Sequence, residues 1–323
     1  MKIKRIHNSE IENNLQDKVE GLIFGQAIGD ALGLSTEFMK VEEVKMHYPN
    51  GIYSYSDIVR DKHRSRWEVG DWTDDTDQML CILDSIIEIK RVDINHIAQN
   101  ILNWYRDGGM GVGTSTNNVL RMPNYASNPH KAAEIVWNMG RKRNASNGAI
   151  MRTSILGIWE YKSFNKIKTN TENICKITHY DPRCVGSCVI ITYIISCLLN
   201  DVEIILETLI KIANQYDNQI EEYIIMGYQN DLSYLDLGNE TNLGYTLKTM
   251  SAAIWALNFA SDFNSGIQQI ILEGGDADTN AAVVGSVLGA KFGYSSLPNN
   301  LINELLHKSE LEEKIGKLMP LLN

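Results

Sequence analysis

The chain has 323 residues, with 30 Lys and Arg against 40 Asp and Glu, so its formal net charge is −10. At roughly 150 residues per domain, this length allows one large domain or two small ones. Hydrophobic and charged fractions of 44% and 22% exclude wholesale disorder. The acidic balance argues against nucleic-acid binding, which needs a basic face, so no nucleic-acid partner is expected.

The first 17 residues mix charges with Asn and contain no apolar signal-peptide core. We predict that residues 1–17 form a flexible extension and that residues 18–323 form one domain. Hydrophobic residues then recur at helical spacing in three stretches, residues 79–87, 198–212 and 281–292. With only 6 prolines and no alternating hairpin pattern, the chain is predicted to be all-α.

The glycines cluster where helices are expected to meet. They stand at Gly29 and Gly33, between residues 108 and 113, at Gly148, and at residues 274–275. Such junctions allow a ligand to approach bare backbone.

The 5 cysteines include no Cys-x-x-Cys pair, which favours a reducing, cytoplasmic compartment. The longest apolar stretch, residues 189–199, is expected to be too short to cross a bilayer, so no membrane association is predicted.

Two acidic clusters, residues 71–77 and 274–280, each precede a helical pattern, the first of which is expected to begin near Gln78. Helix capping explains one Asp at such a place but not several mutually repelling carboxylates. The crowding suggests a shared cation, and oxygen ligands without His or Cys favour Mg²⁺, Mn²⁺ or Ca²⁺ over zinc.

Two other metal motifs fail. An EF-hand loop starting at Asp71 would place Thr76 and Ile82 where Gly and Glu are required, and a loop starting at Asp276 fails in the same way. The Asp-Asp-x-x-Asp pattern of isoprenoid synthases is broken by Gln78.

Several motifs in order resemble the ADP-ribosylglycohydrolase family, which includes dinitrogenase reductase-activating glycohydrolases and ADP-ribosyl-acceptor hydrolases. They are Gly-Asp-Ala-Leu-Gly at residues 29–33 with Glu37, Trp-Thr-Asp-Asp-Thr at 72–76, Ser-Asn-Gly-Ala at 146–149, Thr-His at 178–179 and Gly-Gly-Asp-Ala-Asp-Thr at 274–279. The resemblance implies a single-domain orthogonal helical bundle whose cleft holds two divalent cations, Mg²⁺ or Mn²⁺.

The resemblance also implies roles for individual residues. The implied metal ligands are Thr73, Asp74, Asp75, Asp276, Asp278 and Thr279. The implied ADP-ribose contacts are Gly109, Gly111, Gly113, Ser146, Asn147, Gly148 and His179. Asp278 is expected to bridge the ions, and either Asp75 or Glu37 is expected to transfer the proton.

The implied activity is metal-dependent removal of ADP-ribose from a modified protein, most commonly from arginine. Family members that cleave the arginine linkage often carry Asp-Ile-Gly after the glycine loop, whereas this chain has Gly111-Val112-Gly113. Alternatives are therefore hydrolysis of serine-linked or small-molecule conjugates, or non-catalytic binding of ADP-ribose or of a cognate ADP-ribosyltransferase, as an immunity protein would do.

Overall fold

The computed structural model describes the backbone of residues 2–322 and the side chains of residues 14–322. In that part of the chain all regular structure is helical, and a lone bridge between Ser146 and Tyr245 is the nearest approach to a sheet. The α-helices are α1 (Lys2–Gly33), α2 (Val41–His47), α3 (Asp74–Ile89), α4 (Ile94–Arg106), α5 (Thr114–Leu120), α6 (Pro129–Met139), α7 (Phe164–Cys175), α8 (Pro182–Leu199), α9 (Leu206–Ala213), α10 (Gln219–Gly227), α11 (Thr246–Phe259), α12 (Phe263–Ile271), α13 (Ala277–Phe292), α14 (Asn299–Glu304) and α15 (Lys308–Leu318). The all-α prediction is confirmed.

Two of the three hydrophobic stretches found in the sequence fall in helices, namely α3 and α13. The stretch 198–212 joins the end of α8 to α9 through residues 200–205, which are not helical. The start of α3 was predicted wrongly, because the helix begins at Asp74 and not near Gln78. The first acidic cluster therefore extends into the first turn of the helix, with Thr73 as the N-cap residue.

The buried side chains form one contiguous core. Helix α8 crosses this core with residues 184–192 all buried. By length and composition alone, this 18-residue helix is long and apolar enough to cross a membrane, although residues 189–199 by themselves were expected to be too short. However, 78% of the helix is buried inside the fold.

Helices α1 and α13 pack antiparallel with their backbones in contact. A Cβ atom built on Gly25 would lie 2.3 Å from the carbonyl oxygen of Gly285, and one built on Gly29 would lie 2.0 Å from that of Ala281. Gly29 thus lies inside a helix against another helix, and not at a helix junction as expected from the sequence. A glycine stripe allows this approach because any side chain would hold the two helices apart.

This packing determines where the acidic clusters meet. The C-terminal end of α1 reaches the N-terminal end of α13, since a Cβ atom on Gly33 would lie 2.5 Å from the Asp278 Cα. The following turn is tied to the residues before α13 by two backbone hydrogen bonds, from Phe38 N to Gly275 O at 2.6 Å and from Gly275 N to Met39 O at 3.0 Å.

Helix α1 begins at Lys2, so its described backbone includes most of the predicted N-terminal extension. Near the proposed boundary, Asp17 accepts a hydrogen bond from the backbone amide of Ser295 at 2.9 Å. The side chains before residue 14 lie outside the described residues, and the domain boundary at residue 18 stays a prediction.

Candidate active site

A cavity of about 330 Å³ opens where α1, α3 and α13 meet. Five carboxylates line one wall of it, Glu37, Asp74, Asp75, Asp276 and Asp278. The two acidic clusters, about 200 residues apart in sequence, are therefore brought together as predicted. The volume is within the range of about 300–1,000 Å³ that small-molecule sites occupy.

The buried Asp30 carboxylate holds the start of α3 in place. Its Oδ1 accepts hydrogen bonds from the Thr73 amide at 3.0 Å and the Thr73 hydroxyl at 2.8 Å, and its Oδ2 accepts from the Thr76 amide at 2.9 Å and hydroxyl at 2.6 Å. Asp30 thereby satisfies amides at a helix N-terminus that would otherwise lack a partner. Burial raises the pKa of Asp30 to about 7, although the four hydrogen bonds act in the opposite direction.

We expect Asp30→Ala to lower the free energy of unfolding by about 2–4 kcal/mol, because a buried donor left without a partner costs about 1–3 kcal/mol. Urea denaturation measures this change. The matched control is Asp93→Ala at the start of α4, where Asp93 caps the His96 amide at 3.1 Å and its loss should cost about 1 kcal/mol. Equal losses in the two variants would contradict the role of Asp30.

The acidic wall is electrostatically strained. Asp74, Asp75 and Asp278 are almost completely buried, with 6%, 1% and 5% of their surfaces exposed. Burial raises the pKa of each of these carboxyls well above its usual range, and neighbouring carboxylates raise it further. Burial also raises the pKa of Asp276.

Two observations make this wall fit a divalent cation. Asp75 Oδ1 is buried and has no hydrogen-bond partner among the described residues. One oxygen each of Glu37, Asp276 and Asp278 lies within 4.8 Å of the other two, close enough to share an ion. A buried carboxylate oxygen without a hydrogen-bond partner, surrounded by other carboxylates, is a suitable ligand for a hard cation, whose charge would offset their repulsion.

The two predicted threonine ligands differ in their surroundings. Thr279 lines the cavity, in the first turn of α13. Thr73 is buried and is not part of the cavity lining; its hydroxyl donates to Asp30 and, at 3.2 Å, to Asp75 Oδ2. Thr73 therefore contacts the acidic wall from behind.

The rest of the cavity lining forms a second wall, which is neutral and mostly polar. The structure places on it six of the seven residues expected to contact ADP-ribose, namely Gly111, Gly113, Ser146, Asn147, Gly148 and His179. Gly109 is not brought there, because it packs on Trp104: a Cβ atom at Gly109 would lie 2.3 Å from that indole.

Gly111 brings the glycine loop directly over the acidic wall. Its φ is +95°, and a Cβ atom there would lie 2.3 Å from Asp74 Oδ1. Asn147 joins the walls from the other side, donating to Asp276 Oδ2 at 2.6 Å. Gly111 and Asn147 are thus neutral residues that touch the acidic wall directly.

His179 is held neutral. Burial, together with the Arg152 charge, lowers the pKa of His179 to about 3. A Cβ atom on Gly148 would lie 3.0 Å from the His179 ring, so Gly148 leaves room for the imidazole at the cavity wall. His179 therefore lines the cavity without adding a charge to it.

The sequence analysis missed one close partner of the site. His63 Nε2 lies 2.6 Å from Glu37 Oε2, and its ring packs against Phe38 and Trp67 at centroid distances of 5.3 and 5.4 Å. The next residue, Arg64, donates to the Glu37 carbonyl at 2.6 Å. The segment that carries His63 thus holds Glu37 by both side chain and backbone.

Other cavity residues were also not predicted, although most of them lie within three residues of a predicted site residue. They are Phe38, Thr114, Ser115, Thr116, Met151, Leu243 and Gly244. Gly244 reaches the cavity because its carbonyl accepts a hydrogen bond from the Asn147 amide at 2.9 Å, a pairing of distant segments that local sequence does not reveal.

Known proteins are similar to this chain over most of its length. An "ADP-ribosylarginine hydrolase Tri1" from Serratia proteamaculans is 26% identical over 320 residues, covering 96% of this chain and 81% of that protein. An "ADP-ribosyl-[dinitrogen reductase] glycohydrolase" from Rhodospirillum rubrum is 24% identical, covering 93% of this chain and 94% of that protein.

The fold has a counterpart among solved structures. One chain, described as "ADP-ribosylglycohydrolase-related protein complex", superposes with a TM-score of 0.73 at 24% identity, covering 96% of this chain and all of that chain. The family model described as ADP-ribosylglycohydrolase matches residues 11–322. The motifs, the helical fold and this match together establish that the chain belongs to the ADP-ribosylglycohydrolase family.

Proposed function

We propose that this chain is a metal-dependent hydrolase that removes ADP-ribose from arginine residues of modified proteins and so reverses mono-ADP-ribosylation. The observation that carries the proposal is the unpaired Asp75 oxygen within a wall of buried carboxylates, facing a neutral wall across one cavity. The arginine linkage is supported by the name of the Serratia relative, an ADP-ribosylarginine hydrolase.

Two divalent cations, Mg²⁺ or Mn²⁺, are part of this proposal, and the residues proposed to hold them are Thr73, Asp74, Asp75, Asp276, Asp278 and Thr279. When bound, such ions supply Lewis-acid chemistry and activate water at neutral pH. Asp278 lies in the first turn of α13, and one of its oxygens lies within 4.8 Å of oxygens of Asp276 and Glu37, so these carboxylates could hold an ion together.

The chain's own residues orient the sugar and move the proton. Cleavage of the bond to ribose passes through an oxocarbenium-like transition state, which requires a proton for the leaving group and an activated water. Asp75 and Glu37 both line the cavity and both remain candidates for proton transfer. Glu37 is the better supported, because His63 and Arg64 hold its side chain and carbonyl in place.

Bare backbone at Gly111 and Gly113 is proposed to approach the pyrophosphate. Amide N–H groups there can donate without side-chain crowding, which offsets the repulsion between the phosphates and the acidic wall. Asn147 and His179 add neutral polar groups on the same side of the cavity.

The partners of such an enzyme are an ADP-ribosylated protein and the transferase that modifies it. We place this activity in the cytoplasm, a compartment supported by the five thiols, none of which forms a disulfide.

If His63 positions Glu37, His63→Ala should lower kcat about 10- to 100-fold, the usual effect of removing a residue that orients a reacting group. His63→Gln, which can still donate to the carboxylate, should recover most of the rate. The control is His96→Ala, which removes a half-buried histidine bonded to Ser85 outside the cavity. Equal activity of His63→Ala and the wild type would contradict this role.

The linkage is tested with two peptides, one carrying ADP-ribosyl-arginine and one carrying ADP-ribosyl-serine, each incubated with protein and Mg²⁺ or Mn²⁺. Chromatography of free ADP-ribose gives the rates. We expect release from the arginine peptide. Release from the serine peptide alone would reassign the acceptor, and release from neither would contradict the proposed hydrolysis of protein-linked ADP-ribose.

A further inference from the structure

A charged side chain lies beneath the cavity without a carboxylate partner. Arg152 is completely buried, and no salt bridge to it is found between residues 14 and 322. Its Nη1 donates to Gln78 Oε1 at 2.7 Å, and its Nη2 donates to the Thr178 hydroxyl. An unpaired buried charge is costly, so its place in the hydrogen-bond network needs an explanation.

A chain of hydrogen bonds runs from the guanidinium toward the cavity. Arg152 donates to Thr178 Oγ1, and the one hydrogen of this hydroxyl remains for His179 Nδ1, 2.8 Å away. A neutral imidazole that accepts at Nδ1 carries its proton on Nε2, which then donates to Ser146 Oγ at 2.9 Å. This tautomer is required because Ser146 donates its one hydrogen to Ser115 and so must accept from Nε2, while Arg152 donates to the Thr178 hydroxyl that Nδ1 accepts from.

This chain of hydrogen bonds ends at the cavity. Ser146 Oγ donates to Ser115 Oγ at 2.8 Å, and the Asn144 side-chain amide donates to the same oxygen. Ser115 accepts both bonds and, among the described residues, its hydroxyl donates to no protein acceptor. Because Ser115 lines the cavity, its remaining hydrogen is available to a ligand there.

The other branch from Arg152 reaches the acidic wall. Gln78 accepts from Arg152 with Oε1, which turns its amide nitrogen toward Asp74 Oδ2 at 3.0 Å. One buried cation therefore orients groups on both walls of the cavity.

We propose that Arg152 is a positioning residue that, through Thr178 and His179, presents the Ser115 hydroxyl as a hydrogen-bond donor to an oxygen of bound ADP-ribose. The ligand's identity rests on the function proposed above. The direction of the chain does not, because it follows from the donor and acceptor chemistry of the free protein.

Variants of Thr178 test this without removing the buried charge. In Thr178→Val the side chain has nearly the shape of threonine but lacks the hydroxyl, which breaks the chain of hydrogen bonds. Thr178→Ser retains the hydroxyl. The dissociation constant for ADP-ribose, measured by calorimetry with Mg²⁺, should rise about tenfold for Thr178→Val and for Ser115→Ala, the loss of one hydrogen bond. Thr178→Ser should bind as the wild type does.

The double variant Thr178→Val/Ser115→Ala separates this role from general damage. If both residues act through one hydrogen bond, its dissociation constant should match that of either single variant. The control is Thr171→Val, which should not change the binding of ADP-ribose. It removes a buried hydroxyl that is hydrogen-bonded to Thr192 and does not belong to the hydrogen-bond chain from Arg152. Additive effects, or unchanged binding by Thr178→Val, would overturn the proposal.

A second readout does not depend on the ligand. Nitrogen-15 NMR of the imidazoles should show His179 protonated at Nε2 in the wild type and a mixture of tautomers in Thr178→Val. If the wild-type protein shows this tautomer but does not bind ADP-ribose, the proposed function fails and the positioning role stands. A wild-type ring protonated at Nδ1 would overturn the positioning role itself.

Discussion

Asp278→Ala is expected to reduce ADP-ribose release from an ADP-ribosyl-arginine peptide to the uncatalysed background. Asp278 lies where the second acidic cluster meets Glu37 and Asp276, with one oxygen of each within 4.8 Å of the others. Loss of one preorganised electrostatic contact costs about 100- to 1,000-fold in kcat, and loss of a shared ion should cost at least as much. Release is measured under saturating Mg²⁺.

Substitutions that remove the Asp278 carboxylate should leave the fold intact. Burial and neighbouring carboxylates raise the pKa of Asp278 well above its usual range, so ionisation of this carboxyl opposes folding when a chelator is present. Asp278→Asn, which keeps the shape and loses the charge, should therefore unfold in EDTA at a urea concentration no lower than the wild type. A folded Asp278→Ala protein with near-normal turnover would contradict the role assigned to this residue.

Gly29→Ala is expected to destabilise the protein strongly, although alanine is the better helix former. The added Cβ would lie 2.0 Å from the Ala281 carbonyl oxygen and 2.6 Å from its carbon, so α1 and α13 would have to separate. Overpacking of this kind lowers the free energy of unfolding by about 1–3 kcal/mol. Because the added Cβ would meet the backbone of α13, which cannot easily move aside, we expect a loss at the upper end of this range. The change is measured as a shift of the urea midpoint.

The matched control for Gly29→Ala is Gly316→Ala in α15. A Cβ atom at Gly316 meets nothing within 4 Å, so this substitution should stabilise the protein by about 0.5–1 kcal/mol through helix propensity. Opposite signs for the two glycines are the expected result. If Gly29→Ala unfolds at the wild-type urea concentration, the close contact between α1 and α13 is not as described.

The acidic wall was predictable because its residues are dense and chemically unusual. Several carboxylates in one turn, as at Asp74 and Asp75, cannot be explained by capping, and the same argument applies at Asp276 and Asp278. The helical stripes were predictable for a similar reason, since each is long enough for its period to be distinct.

Where α3 begins was not predictable from local sequence. The helix starts at Asp74 because Asp30, 43 residues before Thr73, accepts the hydrogen bonds of Thr73 and Thr76. A tertiary contact thus overrides the local pattern that placed the start near Gln78. The role of Gly29 was missed for the same reason, since only the packed α13 shows what a side chain there would meet.

Site residues contributed by distant segments likewise could not be predicted from the sequence. Gly109 belongs to the glycine-rich loop but packs on Trp104, whereas His63 and Leu243 reach the site from segments with no recognisable motif. Phe38, directly after Glu37, and residues 114–116, directly after the glycine loop, are the cavity residues that neighbouring motifs could have indicated.

The most direct test is to remove the metal and return it. The protein is freed of divalent ions with EDTA, the chelator is removed by dialysis, and ADP-ribose release from an ADP-ribosyl-arginine peptide is followed by chromatography before and after Mg²⁺ is added. We predict no release beforehand and a full rate afterwards, with Asp278→Ala inactive throughout. Undiminished release by the metal-free protein would contradict the proposal that the acidic wall acts by holding cations.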